Sequence, residues 1–555
     1  MRTRLWQVLF LPILSISIMG GVASGQQPVD PKPATLPKAV DEKGPSATTT
    51  PKLADLTPFE LAMASYRRKQ FAEASMAFNQ VGQSGNADSA RAFAWLARTE
   101  LKLEKISEAE VAAQKALALI PTLPTGHSAL GEVYFRQGKI PDAEKEFLTP
   151  LKGGIPDPRA YLGEARICWI TSNQKRAKQL IDKAHALDPQ DPDILRWWMS
   201  TFHRSVGLTA PKKESQPDIP ISTQNQPQSG VLSEDSVGNS APGQDCRLAN
   251  SVTSTETQLD RLMLDANRFR GLGLTVKLNG TPSKLLLDTG ASGIMINSKL
   301  AERAGVRHVS DIKLGGVGDE GAATGYVGYV DHIQVGGLEF KGCNIQVVDR
   351  KRSMGEDGFV GPDVFQDFLI DINFPDGKLV LSPLPNPPGA ANQSVSLQSE
   401  EGEPPPLHDR YIASEMESYE RFYRFRHFIL VPVLVNKTTI ARLFMMDTGA
   451  YQTSLSTDLA RQVTKVHPDN YTQVRGFNGK VKNVYRADEV TLGFAQSRLM
   501  QQPKDIVAWD ISDISESAGT EVSGVLGFSL LWLLDIKIDY RDGLVHFSYN
   551  PNRIH

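Results

Sequence analysis

The chain has 555 residues, too many for one hydrophobic core, so about three domains are expected. Apolar residues make up 40% and charged residues 22%, a balance that fits soluble globular domains joined by polar linkers. A net charge of −3 offers no basic surface for nucleic acid, and three cysteines are too few for a disulfide scaffold.

Residues 1–25 read as an export signal. Arg2 and Arg4 form the positive region, Leu5 to Val22 is an apolar run broken by Pro12, and Ala23-Ser24-Gly25 offers a cleavage site before Gln26. An uncleaved membrane anchor is the alternative; Ser15, Ser17 and Gly20-Gly21 weaken it. The expected location is extracytoplasmic, periplasmic or secreted, with membrane contact only if the segment stays uncleaved. Residues 26–55 are rich in Pro, Thr, Lys and Ala and read as a disordered linker.

Residues 56–205 turn helical and repetitive. Ala74, Ala109, Ala143 and Ala177 recur at spacings of 35, 34 and 34, each followed four residues later by Phe78, Ala113, Phe147 or Ile181. Pro121, Pro156 and Pro189 close successive units, and Leu130-Gly131 with Tyr134 and Gly138 marks the cleanest one. The pattern resembles the tetratricopeptide repeat. That resemblance implies stacked helix pairs with a shared core and a concave face left for a protein partner. The fourth unit departs from it: Leu162-Gly163 sits two residues early, and Cys168 stands where the third unit has Tyr134. Trp197-Trp198 is placed to cap the stack.

Residues 206–250 are polar and Pro-rich, a second linker, so the following segment is expected to fold without the repeats. From there β alternation begins in two halves, 251–388 and 411–555, separated by a linker over 389–410. Each half repeats one order of signals. A hairpin turn (Asn279-Gly280, Asn436-Lys437) leads into an apolar strand that ends in Asp-Thr-Gly, at Asp288-Thr289-Gly290 and Asp447-Thr448-Gly449. A helix-like segment follows, from Ser298 and from Thr457. Then comes an apolar-apolar-Gly signal, Phe359-Val360-Gly361 and Val525-Leu526-Gly527, and a strand pair around Asp-Gly. The two Asp are 159 residues apart and the two final Gly 166. A lone Asp-Thr-Gly reads as a turn; two in matched order imply a duplicated β lobe.

These residues resemble the aspartic peptidases, in particular the retropepsin-like branch. The resemblance implies two all-β lobes after the α-helical repeats, and an endopeptidase hydrolysing peptide or protein substrates without a cofactor. It assigns Asp288 and Asp447 as the catalytic pair sharing one proton. It also makes Thr289, Gly290, Ala291, Ser292, Thr448, Gly449, Ala450, Gly361 and Gly527 the support of the catalytic loops. Glycine-rich hairpins with Gly316 and Gly318 in the first lobe, and Phe477 and Gly479 in the second, stand where the family carries its flap. One departure is Tyr451, where the family usually has Ser or Thr, as at Ser292. It leaves open a non-catalytic peptide-binding scaffold with a degenerate second lobe; lobes that dimerise between chains are a further alternative. Cys246 precedes the first lobe and Cys343 lies within it. Pairing after export and three free thiols are both open. No Cys-x-x-Cys or His/Cys cluster argues for a metal.

Overall fold

The computed structural model describes residues 56–202, 246–265, 268–314, 323–348, 357–385, 412–476, 479–481, 483–494, 499–501 and 505–549. The segments read as export signal and first linker lie outside these residues, as do most of 206–250 and nearly all of 386–411.

The helical region forms four pairs and a last helix. The pairs are α1 (Pro58–Arg67) with α2 (Phe71–Gln83), α3 (Ser89–Lys102) with α4 (Ile106–Leu119), α5 (Pro124–Arg136) with α6 (Ile140–Lys152), and α7 (Pro158–Ile170) with α8 (Gln174–Leu187); α9 is Pro192–Phe202. Thr57 and Glu60 start α1 with a reciprocal capping box. The periodic alanines, Ala74, Ala109, Ala143 and Ala177, are all fully buried, as close helix packing requires. The fourth pair forms despite its irregular spacing. A Cβ on either Gly131 or Gly163 would run into the Phe147 ring, so Gly163 does for α7 what Gly131 does for α5. Trp197 and Trp198 close the stack as expected: Trp197 meets Trp169 edge-on, and Trp198 stacks on His185 and donates to Asp182.

Charged side chains bridge the first helices of the pairs and α9. Asp193 of α9 accepts from Tyr66 of α1 at 3.4 Å, Lys102 of α3 at 2.9 Å and Arg159 of α7 at 3.1 Å. Arg98 of α3 binds Glu132 of α5 at 2.9 Å and Ser128 at 2.7 Å. The first helices of the pairs thus converge on α9 through a buried charged network. Arg159 is buried among Asp191, Asp193 and Glu132, so its charge is met by several carboxylates at once.

The β region begins at Arg247–Leu248, which pairs with Leu338–Val348, so the stretch read as linker ends a few residues before 250. Cys246 is bonded to Cys343, which ties this edge to the lobe. Both hairpins into the catalytic strands form, with Asn279, Gly280 and Asn436 at positive φ. The strand Thr281–Leu287 runs parallel to Gly358–Val360, and Arg442–Asp447 runs parallel to Gly524–Gly527. Helices Ser298–Arg303 and Thr457–Val463 follow, N-capped by Asn297 and Ser456.

The lobes join through strands Phe368–Asn373 and Leu534–Asp539, which pair antiparallel. Asp371 lies opposite Lys537, Leu369 opposite Asp539 and Asn373 opposite Asp535. Asp371 and Lys537 are equivalent positions in the two halves, so a two-fold axis passes between them. One buried cluster runs through both lobes, with Val360, Ile370 and Ile372 beside Leu526, Ile536 and Ile538. The repeats dock on lobe 2. Phe135, Ile140, Phe147, Ile167 and Ile170 share a second cluster with Phe425, Leu443, Met445, Trp509 and Val525. This corrects the reading of repeats and peptidase-like region as uncoupled: a polar linker reports how a chain is joined, not what its domains bury.

Candidate active site

Each catalytic loop starts where an apolar strand, buried on both faces, leaves its parallel neighbour. The loops then lock together. The Thr289 N–H donates to Thr448 Oγ1 and the Thr448 N–H to Thr289 Oγ1, both at 3.0 Å. Thr289 Oγ1 donates to the Met446 carbonyl at 2.9 Å and Thr448 Oγ1 to the Leu287 carbonyl at 2.7 Å. Both side chains are buried. Thr289 and Thr448 thus hold the loops by mutual bonds, which fits the supporting role that the resemblance implies for them.

The lock brings Asp288 and Asp447 into contact. A Cβ on Gly290 would overlap the Asp447 carboxylate, and one on Gly449 would overlap that of Asp288. Glycine is required at both for this close approach. Asp288 Oδ1 accepts from the Gly290 N–H at 2.9 Å. Asp447 Oδ1 accepts from Gly449 at 2.8 Å and Ala450 at 2.9 Å. Both residues keep part of their surface open, while protein surrounds the carboxylates on other sides. Burial pushes both above the usual carboxylate range. The charge of Asp288 pushes Asp447 further up, and the Gly290 bond and Arg270 hold Asp288 back. The pair binds one proton well above the pH at which a lone carboxyl loses its own, and that proton belongs to the pair.

Gly361 and Gly527 lie where another segment of the chain crosses close behind each catalytic loop. A Cβ on Gly361 would meet the backbone of Ala291, and one on Gly527 that of Gln452. In lobe 1 the Ser292 hydroxyl donates to Asp363 at 2.8 Å and the Gly293 N–H to the same carboxylate at 2.9 Å. In lobe 2 the Tyr451 carbonyl accepts from Ser529 N–H at 2.8 Å, and the Tyr451 residue is 55% exposed. Its ring therefore does not fill the space beneath Asp447. Gly316, Gly318 and Phe477 lie outside the described residues. Gly479 sits on a two-residue strand paired with Arg475–Gly476, whereas the lobe 1 hairpin is long, Arg307–Leu314 against Ala323–Val335. The flap expectation thus lands on hairpins of unequal length.

Arg270 was missed. Its Nη1 donates to the Gly449 carbonyl at 2.9 Å, from lobe 1 onto the lobe 2 loop. Beside it, Phe269 packs on Phe528 at 5.3 Å. The available signal was Arg268-Phe269-Arg270, charge at the start of an apolar alternation.

Residues 274–364 match the family model described as aspartyl protease. That match lies within lobe 1, and lobe 2 repeats its order of hairpin, catalytic-loop strand, helix and parallel neighbouring strand. No curated protein matches the chain. Among solved structures, an aspartic proteinase from Irpex lacteus aligns at 11% identity over 54% of this chain and 98% of its own, with a TM-score of 0.34. A thermophilic TPR protein of Thermus thermophilus aligns at 21% identity over 26% of this chain and 82% of its own, with a TM-score of 0.23. The pilF protein of Pseudomonas aeruginosa aligns at 17% over 25% and 64%, with a TM-score of 0.20. The two aspartic-peptidase lobes in this one chain already face each other, so a pair assembled between chains is not needed to bring Asp288 and Asp447 together.

Proposed function

We propose that this chain is an exported aspartic endopeptidase with a single active site built from Asp288 and Asp447. The observation that carries the reading is the contact of the two carboxylates across interlocked loops, each lying against the other loop's glycine. The ionised member takes a proton from a water held between them. The water oxygen adds to the peptide carbonyl carbon, and the protonated member gives its proton to the carbonyl oxygen. The C–N bond breaks as the leaving nitrogen takes the proton of one carboxyl while a hydroxyl of the tetrahedral intermediate gives its proton to the other carboxylate, which returns the dyad to its one-proton state.

The Cys246–Cys343 disulfide supports an oxidising, extracytoplasmic location, in line with the basic-apolar N-terminal sequence. The helical repeats are the surface on which a protein partner would dock. The scaffold alternative rested on Tyr451, and no contact in the Asp447 loop favours it.

Cleavage of a peptide library by the mature chain tests the reading. Pepstatin should block it, and Asp447→Asn should be silent. A wild-type chain that neither cuts nor binds pepstatin between about pH 3 and 7 would leave the scaffold.

A further inference from the structure

The two catalytic strands are both buried on two faces, but different material covers them. In lobe 1, Leu285 and Leu287 face the central core, while Leu286 faces a smaller cluster with Leu314, Val348 and Phe359, and Ile312 packs against it. Leu314 and Ile312 come from lobe 1's own long hairpin. In lobe 2, Phe444 and Met446 face the central core. Leu443 and Met445 point the other way, as alternation requires, with Val525 of the neighbouring strand beside them. Their cover is shared between lobe 2's own Phe425, Trp509 and Ile514 and the helical repeats, which add Phe135 of α5, Ile140 and Phe147 of α6, and Ile167 and Ile170 of α7. Lobe 2's short hairpin contributes only the partly buried Val474 and Val481.

The seam is also hydrogen-bonded. Thr520 Oγ1 donates to the Phe135 carbonyl at 2.6 Å, and the Glu521 N–H to the Arg136 carbonyl at 2.8 Å. Both lie just before the strand Gly524–Gly527. Gly138, at φ +70°, turns the chain against lobe 2, where a Cβ would stand 3.0 Å from the Glu521 carbonyl. The Phe135 ring sits 5.8 Å from that of Phe425, with the Arg166 guanidinium 4.3 Å from its centre.

We propose that the helical repeats are the missing layer of lobe 2 and act as a positioning surface for Asp447. The catalytic competence of lobe 2 then depends on helices α5 to α7, about 300 residues earlier in the chain. This rests on the peptidase reading for its kinetic arm alone.

The test compares full-length Phe135→Ala with full-length Phe78→Ala. Phe78 is an equally buried ring of α2, in a cluster that does not reach lobe 2. Phe135→Ala should lower kcat about tenfold or more with KM within about twofold, because Asp447 is displaced while the cleft remains. It should also speed amide exchange over 443–447 and 524–527 and weaken pepstatin binding. Phe78→Ala should change none of these. Wild-type kcat and exchange in Phe135→Ala, or an equal loss in Phe78→Ala, would overturn the proposal. Should Phe135→Ala not fold, Phe135→Leu and Gly138→Ala carry the same test. If the wild-type chain cuts nothing, the peptidase reading fails, and exchange in the two strands still decides this one.

Discussion

At the scale of single residues, the chemistry is set by two carboxyl groups pushed up by burial, with Asp447 raised further by the charge of Asp288. Asp288→Asn and Asp447→Asn should each cut hydrolysis by at least ~10³-fold, measured as kcat/KM on a cleaved peptide. The same variants should be more stable than wild type at pH 7. The native dyad binds more protons than the unfolded chain does between the ordinary carboxylate range and the raised one. Native stability therefore falls as pH rises through that window. Asparagine removes this loss, so Tm should rise at pH 7 and match wild type near about pH 3. Family members with Ser or Thr after Asp-Thr-Gly have a hydroxyl that donates to the carboxylate; here Ala291 and Ala450 stand there. An optimum at about pH 5 to 6 is expected, and Ala291→Ser should move the acidic limb lower. Arg270→Met should move that limb higher, since the lost guanidinium favours the charged form of Asp288.

At the scale of elements, the part legible in the sequence was the part written in local patterns. Strand alternation, the Asn279-Gly280 turn and both Asp-Gly strand pairs form as read, and so do the helix pairs built on a small-residue period. The support role of Thr289 and Thr448 was legible only through the family resemblance that the duplicated motif carries. Thr448→Val should test it: the Thr289 N–H and the Leu287 carbonyl would be left unpaired in a buried site, at about 1–3 kcal/mol each. Thr448→Ser should restore most of the denaturant midpoint. What the sequence left unread were contacts between elements far apart in the chain. Arg270 reaches Gly449 across 179 residues, and Tyr66 meets Asp193 across 127. Neither carries a spacing rule, because the partner's position is fixed by the finished fold.

At the scale of the whole molecule, linker composition predicts that a chain starting near residue 250 folds alone and cuts short peptides. The seam changes that expectation. Such a chain would expose Tyr423, Phe425, Leu443, Met445, Trp509 and Val525, which are buried against the repeats and each other. A contiguous apolar patch of that kind drives association between copies. The truncated chain should therefore aggregate, or stay soluble with little activity. A nick behaves differently. A site-specific protease site placed between residues 206 and 245 would break the covalent link and leave the seam whole. Held together by that seam, the two pieces should elute as one particle of full-length size and keep kcat. Denaturant should separate them at the concentration where activity is lost. Elution of the nicked chain as two independent pieces, with the β piece fully active, would show that the seam contributes too little to matter, and would return the repeats to the role of a tethered adaptor.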